Sequence, residues 1–96
     1  MLTLTFQQIK RLSVPVLKRS GVRRSALFGS FARGEAKAKS DVDLLVEYAP
    51  KTGLFEVIAL RYKLQKALGR KVDLVSYKSI SPRLKKTIMA DARTIL

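Results

Sequence analysis

Asp41 and Asp43 stand two apart in the run Ser40-Asp41-Val42-Asp43-Leu44, with Leu45 and Val46 following. Alternate residues of a strand point the same way, so the two carboxylates share a face with Cα atoms about 7 Å apart. So placed, they can hold two divalent cations roughly 4 Å from each other. As plain surface acids they would only repel one another. The apolar neighbours mark a buried strand, where an unneutralised acid is costly. Metal binding is therefore the expected role.

Gly29-Ser30 precedes that pair by twelve residues, where a strand ends and a helix begins. Glycine lets the backbone approach a ligand closely. Free N–H groups at a helix start favour anions, and the Ser30 hydroxyl adds a donor. Alone, Gly-Ser is an ordinary turn; ahead of paired carboxylates it reads as a phosphate-binding turn. Asp73, in Lys71-Val72-Asp73-Leu74-Val75, joins the same face if its strand neighbours that of Asp43. A third carboxylate there could ligate metal and draw the proton from an attacking hydroxyl.

Four other residues are less decisive. Arg33 can contact a triphosphate or brace the acids through a salt bridge. Ser40 can cap the start of the strand or touch nucleotide or metal. Gly34 reads as a turn breaker, and Glu47, further along the strand, as structural.

These side chains need elements to place them. Thr5 and Gln8 form a capping box ahead of Phe6, Ile9 and Leu12 at helical spacing. Pro15 either kinks that helix or follows a second start capped by Ser13, and Gly21 ends it. A strand over 22–28 places Ala26 and Phe28 on one face and Leu27 on the other. Residues 30–33 form a short helical turn. The clearest strand, 41–48, turns Val42, Leu44 and Val46 one way and Asp41, Asp43, Leu45 and Glu47 the other. Leu54, Val57, Ile58, Arg61, Leu64 and Leu68 form a helical stripe closed by Gly69. A third strand follows over 71–77. Ser81-Pro82 then starts a last helix with Leu84, Ile88 and Ala92 on its inner face.

The expected order is α-β-α-β-α-β-α, an α/β (α+β) fold. The short first connection suits an antiparallel pair, and the long helix demands a parallel crossover. A three-stranded mixed sheet in order 1-2-3 results, in one domain spanning 1–96.

Composition narrows the chemistry further. The chain of 96 residues has no cysteine and no histidine, so thiolate sites, zinc–histidine sites and Ser-His-Asp catalysis are excluded. A metal held by oxygens alone is a hard cation, Mg²⁺ in particular. No signal peptide or membrane-spanning stretch is visible, and a cytoplasmic location follows by default. Net charge is +13, from 20 basic and 7 acidic residues. It reads as a solvated basic surface or as the mark of an acidic partner. The few aromatic residues are not interleaved with the basic clusters, so nucleic acid is only weakly indicated.

The set Gly29-Ser30, Arg33-Gly34, Ser40-Asp41-Val42-Asp43-Leu44 and Asp73 resembles the minimal nucleotidyltransferase (MNT) family, within the DNA polymerase β-like superfamily. The resemblance covers nearly the whole chain. It implies that Gly29 and Ser30 hold the β- and γ-phosphates of ATP, with Arg33 and Ser40 beside them. It implies that Asp41 and Asp43 bind two Mg²⁺ and that Asp73 completes the site and helps activate the acceptor. Stand-alone chains of this size resemble the MNT antitoxins paired with HEPN toxins. That implies AMP transfer from ATP to a tyrosine of the toxin. A domain this short is expected to take its acceptor hydroxyl from a partner. Two alternatives stand beside this expectation: a nucleotidyltransferase acting on a small molecule or RNA end, and a non-catalytic basic binding module. The oligomeric state is left open.

Overall fold

Thr5 and Gln8 cap the first helix reciprocally. The Gln8 N–H donates to Thr5 Oγ1 at 3.1 Å, and the Thr5 N–H donates to Gln8 Oε1 at 2.8 Å. The computed structural model describes residues 4–37 and 39–96. Helix α1 (Phe6–Arg19) runs through Pro15 without a second start. Proline there removes one N–H from the ladder. Burial of Ile9, Ser13 and Leu17, one helical turn apart, keeps the helix intact. Ser13 lies in this buried row rather than capping anything.

β1 (Arg24–Phe28) leads through Gly29 into the four-residue helix α2 (Ser30–Arg33). The loop after it reaches β2 (Val42–Glu47). Helix α3 (Leu54–Leu68) then crosses to β3 (Val72–Ser76), and a single 3-10 turn (Tyr77–Ser79) precedes α4 (Pro82–Asp91). β1 and β2 pair antiparallel, and β2 and β3 pair parallel, as the loop lengths require. The sheet differs from expectation at one edge. It has four strands in order β3-β2-β1-β4, the fourth being the two-residue β4 (Arg93–Thr94). β4 lies antiparallel to β1, with Ala26 opposite Thr94 and Leu27 opposite Arg93. Two residues are too few to show an alternating pattern. What makes them a strand is the free edge of β1, whose backbone groups need partners. Ser25 supplies both sides of that exchange, its N–H bonding to Leu96 O and its carbonyl accepting from Ile95 and Leu96.

The core lies on one face of this sheet. Val42, Leu44 and Val46 of β2, Leu27 of β1 and Val72 of β3 meet Ile9 and Leu17 of α1 and Leu60, Leu64 and Leu68 of α3. The stripe expected along α3 is therefore rotated. Leu64 and Leu68 point inward as read, but Leu60 completes the row. Leu54 and Ile58 are exposed, together with Phe55 and Tyr62. α4 also departs from expectation. None of its residues is buried, Leu84 is exposed, and Ala92 lies beyond its last residue in extended conformation.

The opposite face carries the polar residues of β2 and their partners. Phe28 and Asp73 flank Asp43, Ala26 and Val75 flank Leu45, and Arg24 lies opposite Glu47.

Candidate active site at one end of the sheet

The parallel register of β2 and β3 sets Asp43 beside Asp73. Neighbouring strands lie about 4.8 Å apart, so the two carboxylates emerge side by side on one face. Asp41 precedes β2 by one residue and falls in phase with Asp43. The Val42 N–H donates to Lys71 O at 2.9 Å, which holds this end of β2 against β3.

Gly29 brings the turn after β1 against this pair. Its backbone sits at φ 76°, ψ −154°, a combination open only to glycine. A Cβ placed there would overlap an Asp43 carboxylate oxygen and approach its Cγ to 3.2 Å. The main chain thus runs flush against the carboxylate. No side chain caps α2, so the first N–H groups of that helix have no acceptor within it. A turn with donors suited to phosphate stands directly beside the acids.

Asp43 is half-buried, and its carboxyl is pushed up to about 6. Burial is the largest cause. The negative charges of Asp73 and Asp41 add to it, and so does a hydrogen bond with Asp73; Arg33 opposes them weakly. A divalent cation is the natural relief for such mutual repulsion, and the all-oxygen donor set suits Mg²⁺. Among the described residues, no group of three acidic side chains is gathered as a metal site. Asp43 and Asp73 make a close pair. Asp41, at the start of the strand, has Lys71 Nζ 4.0 Å from its Oδ2.

The remaining candidates have local partners. Arg33 Nε donates to Glu35 Oε1 at 2.7 Å and its Nη1 to Asp91 Oδ2 at 2.9 Å. It braces α2 against the last residue of α4 and, among the described residues, makes no salt bridge to the acids, where one expectation had placed it. Ser40 accepts a bond from the Lys37 N–H at 2.8 Å, and the Ser40 N–H donates to Lys37 O at 3.0 Å. That closes the loop ahead of β2. Gly34 ends α2 in the left-handed conformation, as a turn breaker should. Glu47 is structural, paired with Arg24 at 2.7 Å. Lys71 and Asp91 were not anticipated. Lys71 was within reach of sequence reading, because a parallel register that sets Asp73 beside Asp43 also sets residue 71 beside 41. Nothing local marks Asp91.

Residues 9–95 match the model of a family described as the nucleotidyltransferase domain. The chain belongs to this family. The matched segment of the nucleotidyltransferase holds every candidate site residue from Gly29 to Asp73. A Methanocaldococcus jannaschii chain, named provisionally as a protein adenylyltransferase, is 41% identical over 93 residues, covering 97% of this chain and all of its own. The protein adenylyltransferase MntA of Thermococcus cleftensis is 38% identical over 95 residues, covering 95% of this chain and 96% of its own. Among solved structures, a chain from a toxin–antitoxin crystal structure with AMP-PNP superposes with a TM-score of 0.78 at 26% identity. That match covers 91% of the nucleotidyltransferase and 72% of the solved chain.

Proposed function

We propose that this nucleotidyltransferase moves AMP from ATP onto a hydroxyl of a partner protein, a tyrosine of a HEPN-type toxin, and so acts as its antitoxin. The observation that carries this reading is the backbone of Gly29 packed against Asp43, whose strand neighbour is Asp73. It supports a site in which the turn at Gly29 holds phosphates beside the carboxylates. The names of the two relatives as protein adenylyltransferases, and the toxin–antitoxin structure with AMP-PNP, support the choice of substrate and partner.

The residues divide the work as follows. The N–H groups after Gly29 and the Ser30 hydroxyl hold the β- and γ-phosphates, and so aim the α-phosphorus at the acid pair. Asp43 and Asp73 would hold Mg²⁺, with Asp41 in phase two residues before Asp43; when bound, the cation neutralises phosphate charge and polarises the α-phosphoryl group. The acceptor oxygen forms a bond to the α-phosphorus as the bond to the bridging oxygen breaks and pyrophosphate leaves. Asp73 takes the acceptor proton. Arg33 keeps α2, and so the phosphate turn, fixed against α4.

The test is transfer of label from α-labelled ATP with Mg²⁺ to a co-purified toxin. Label on the toxin that disappears in folded Asp43→Asn and Asp73→Asn chains supports the reading. A chain that neither binds MgATP nor labels any partner overturns it in favour of a binding module. RNA binding that is salt-dependent and survives both substitutions would mark the same outcome.

A further inference from the structure

The acid pair occupies one end of its sheet face, and a basic cavity occupies the other. Glu47 lies four positions along β2 from Asp43, about 13 Å at the rise of a strand. Around Glu47 opens a cavity of about 950 Å³. Glu47 is the one acid in its lining and is already neutralised by Arg24. Arg24 also lies over the Tyr77 ring, 4.1 Å from its centre. Arg23, Lys51, Lys78 and Lys85 complete the basic rim, and none of these four is ion-paired among the described residues.

This excess of cations has no use for the nucleotide. The triphosphate belongs to the turn at Gly29, beyond the acids at the other end of the sheet, and adenine carries no charge. A second anionic group is needed to match the cavity. We propose that it binds an acidic peptide segment of the acceptor protein, a few residues along the chain from the modified hydroxyl. An extended peptide advances about 3.3 Å per residue. With its hydroxyl at Asp73, its fourth or fifth neighbour reaches Tyr77 and Lys85. β3 is an edge strand of the sheet, and its outer edge from Asp73 to Ser76 gives the path, beside the face that α4 covers. This inference rests on the proposed protein acceptor and assigns how that acceptor is recognised.

The test uses the full chain and a fluorescent peptide made of one tyrosine followed by a run of glutamates. A lysine-bearing counterpart and an oligouridylate of equal charge serve as controls. The acidic peptide should bind better than both controls. The double variant Lys78→Glu/Lys85→Glu, whose fold is checked by its melting temperature, should weaken it roughly tenfold or more while MgATP affinity stays unchanged. In AMP transfer to the toxin, the same variant should raise KM for the toxin and leave kcat alone. Equal binding of the lysine peptide, tighter binding of the oligouridylate, unchanged peptide affinity in the variant, or a parallel loss of MgATP each overturns the assignment. The peptide arm needs no catalysis. A chain that binds the acidic peptide at this cavity yet transfers no AMP would separate failure of the proposed reaction from failure of the site.

Discussion

Gly29 and Asp43 are in such close contact that no side chain fits between them: a Cβ on Gly29 would overlap the Asp43 carboxylate. The backbone there, at φ 76°, independently disfavours any other residue. Gly29→Ala therefore has two effects. The strained conformation costs about 1–3 kcal/mol of stability. The carboxylate moves from its place, and a displacement of about 1 Å can cost about 10²-fold in rate. Chemical denaturation should show the first effect and AMP transfer at saturating ATP the second. Full activity in Gly29→Ala would remove the contact from the mechanism.

Asp43 makes the cation-free protein sensitive to pH in a defined direction. Its folded carboxyl titrates at about 6 against an ordinary value of 3.8. Between those values the folded state holds more protons than the unfolded state, so stability falls as pH rises through that window. The group is partly exposed, and solvent screening reduces the effect to about 1 kcal/mol. For a domain this size that corresponds to about 4–8 °C. Asp43→Asn should therefore raise the melting temperature at pH 8 in the presence of a chelator and leave it nearly unchanged at pH 4. Mg²⁺ should raise it at pH 8 for the unaltered chain and not for the variant.

Arg33 and Asp91 connect the phosphate turn to the end of α4. Removing either partner frees the same contact, so Arg33→Ala and Asp91→Ala should slow transfer without adding when combined. A double-mutant cycle on kcat/KM reads this directly. Strict additivity would show that the two act separately.

The rotated stripe of α3 predicts unequal costs for similar substitutions. Leu64→Ala, fully buried, should lose about 2–5 kcal/mol in urea unfolding. Leu54→Ser, 72% exposed, should stay within about 0.5 kcal/mol. Comparable losses at the two positions would refute the observed face.

Much of this was legible in the chain. The Thr5–Gln8 box, the turn at Gly29, the alternation of β2 and the phosphate-then-carboxylate order are local, and local spacing determines them through dihedral preference and side-chain direction. α3 misled because it carries apolar residues on two faces. Periodicity cannot say which of them the sheet will cover; Leu60 lies inside, and Ile58 outside, because only one row fits over Val42 and Leu44.

What only tertiary structure decided depends on pairing across distance. Asp43 and Asp73 are thirty positions apart in the chain, and they become neighbours through the parallel register that α3 imposes on β2 and β3. The same register sets Lys71 beside Asp41. β4 exists because β1 had an unpaired edge, and the cavity around Glu47 exists because α4 spans a face it does not fill. Residue types supplied the charges and the turn. Their convergence depended on strand neighbours, which hydrogen-bonding groups and buried area choose over the whole fold.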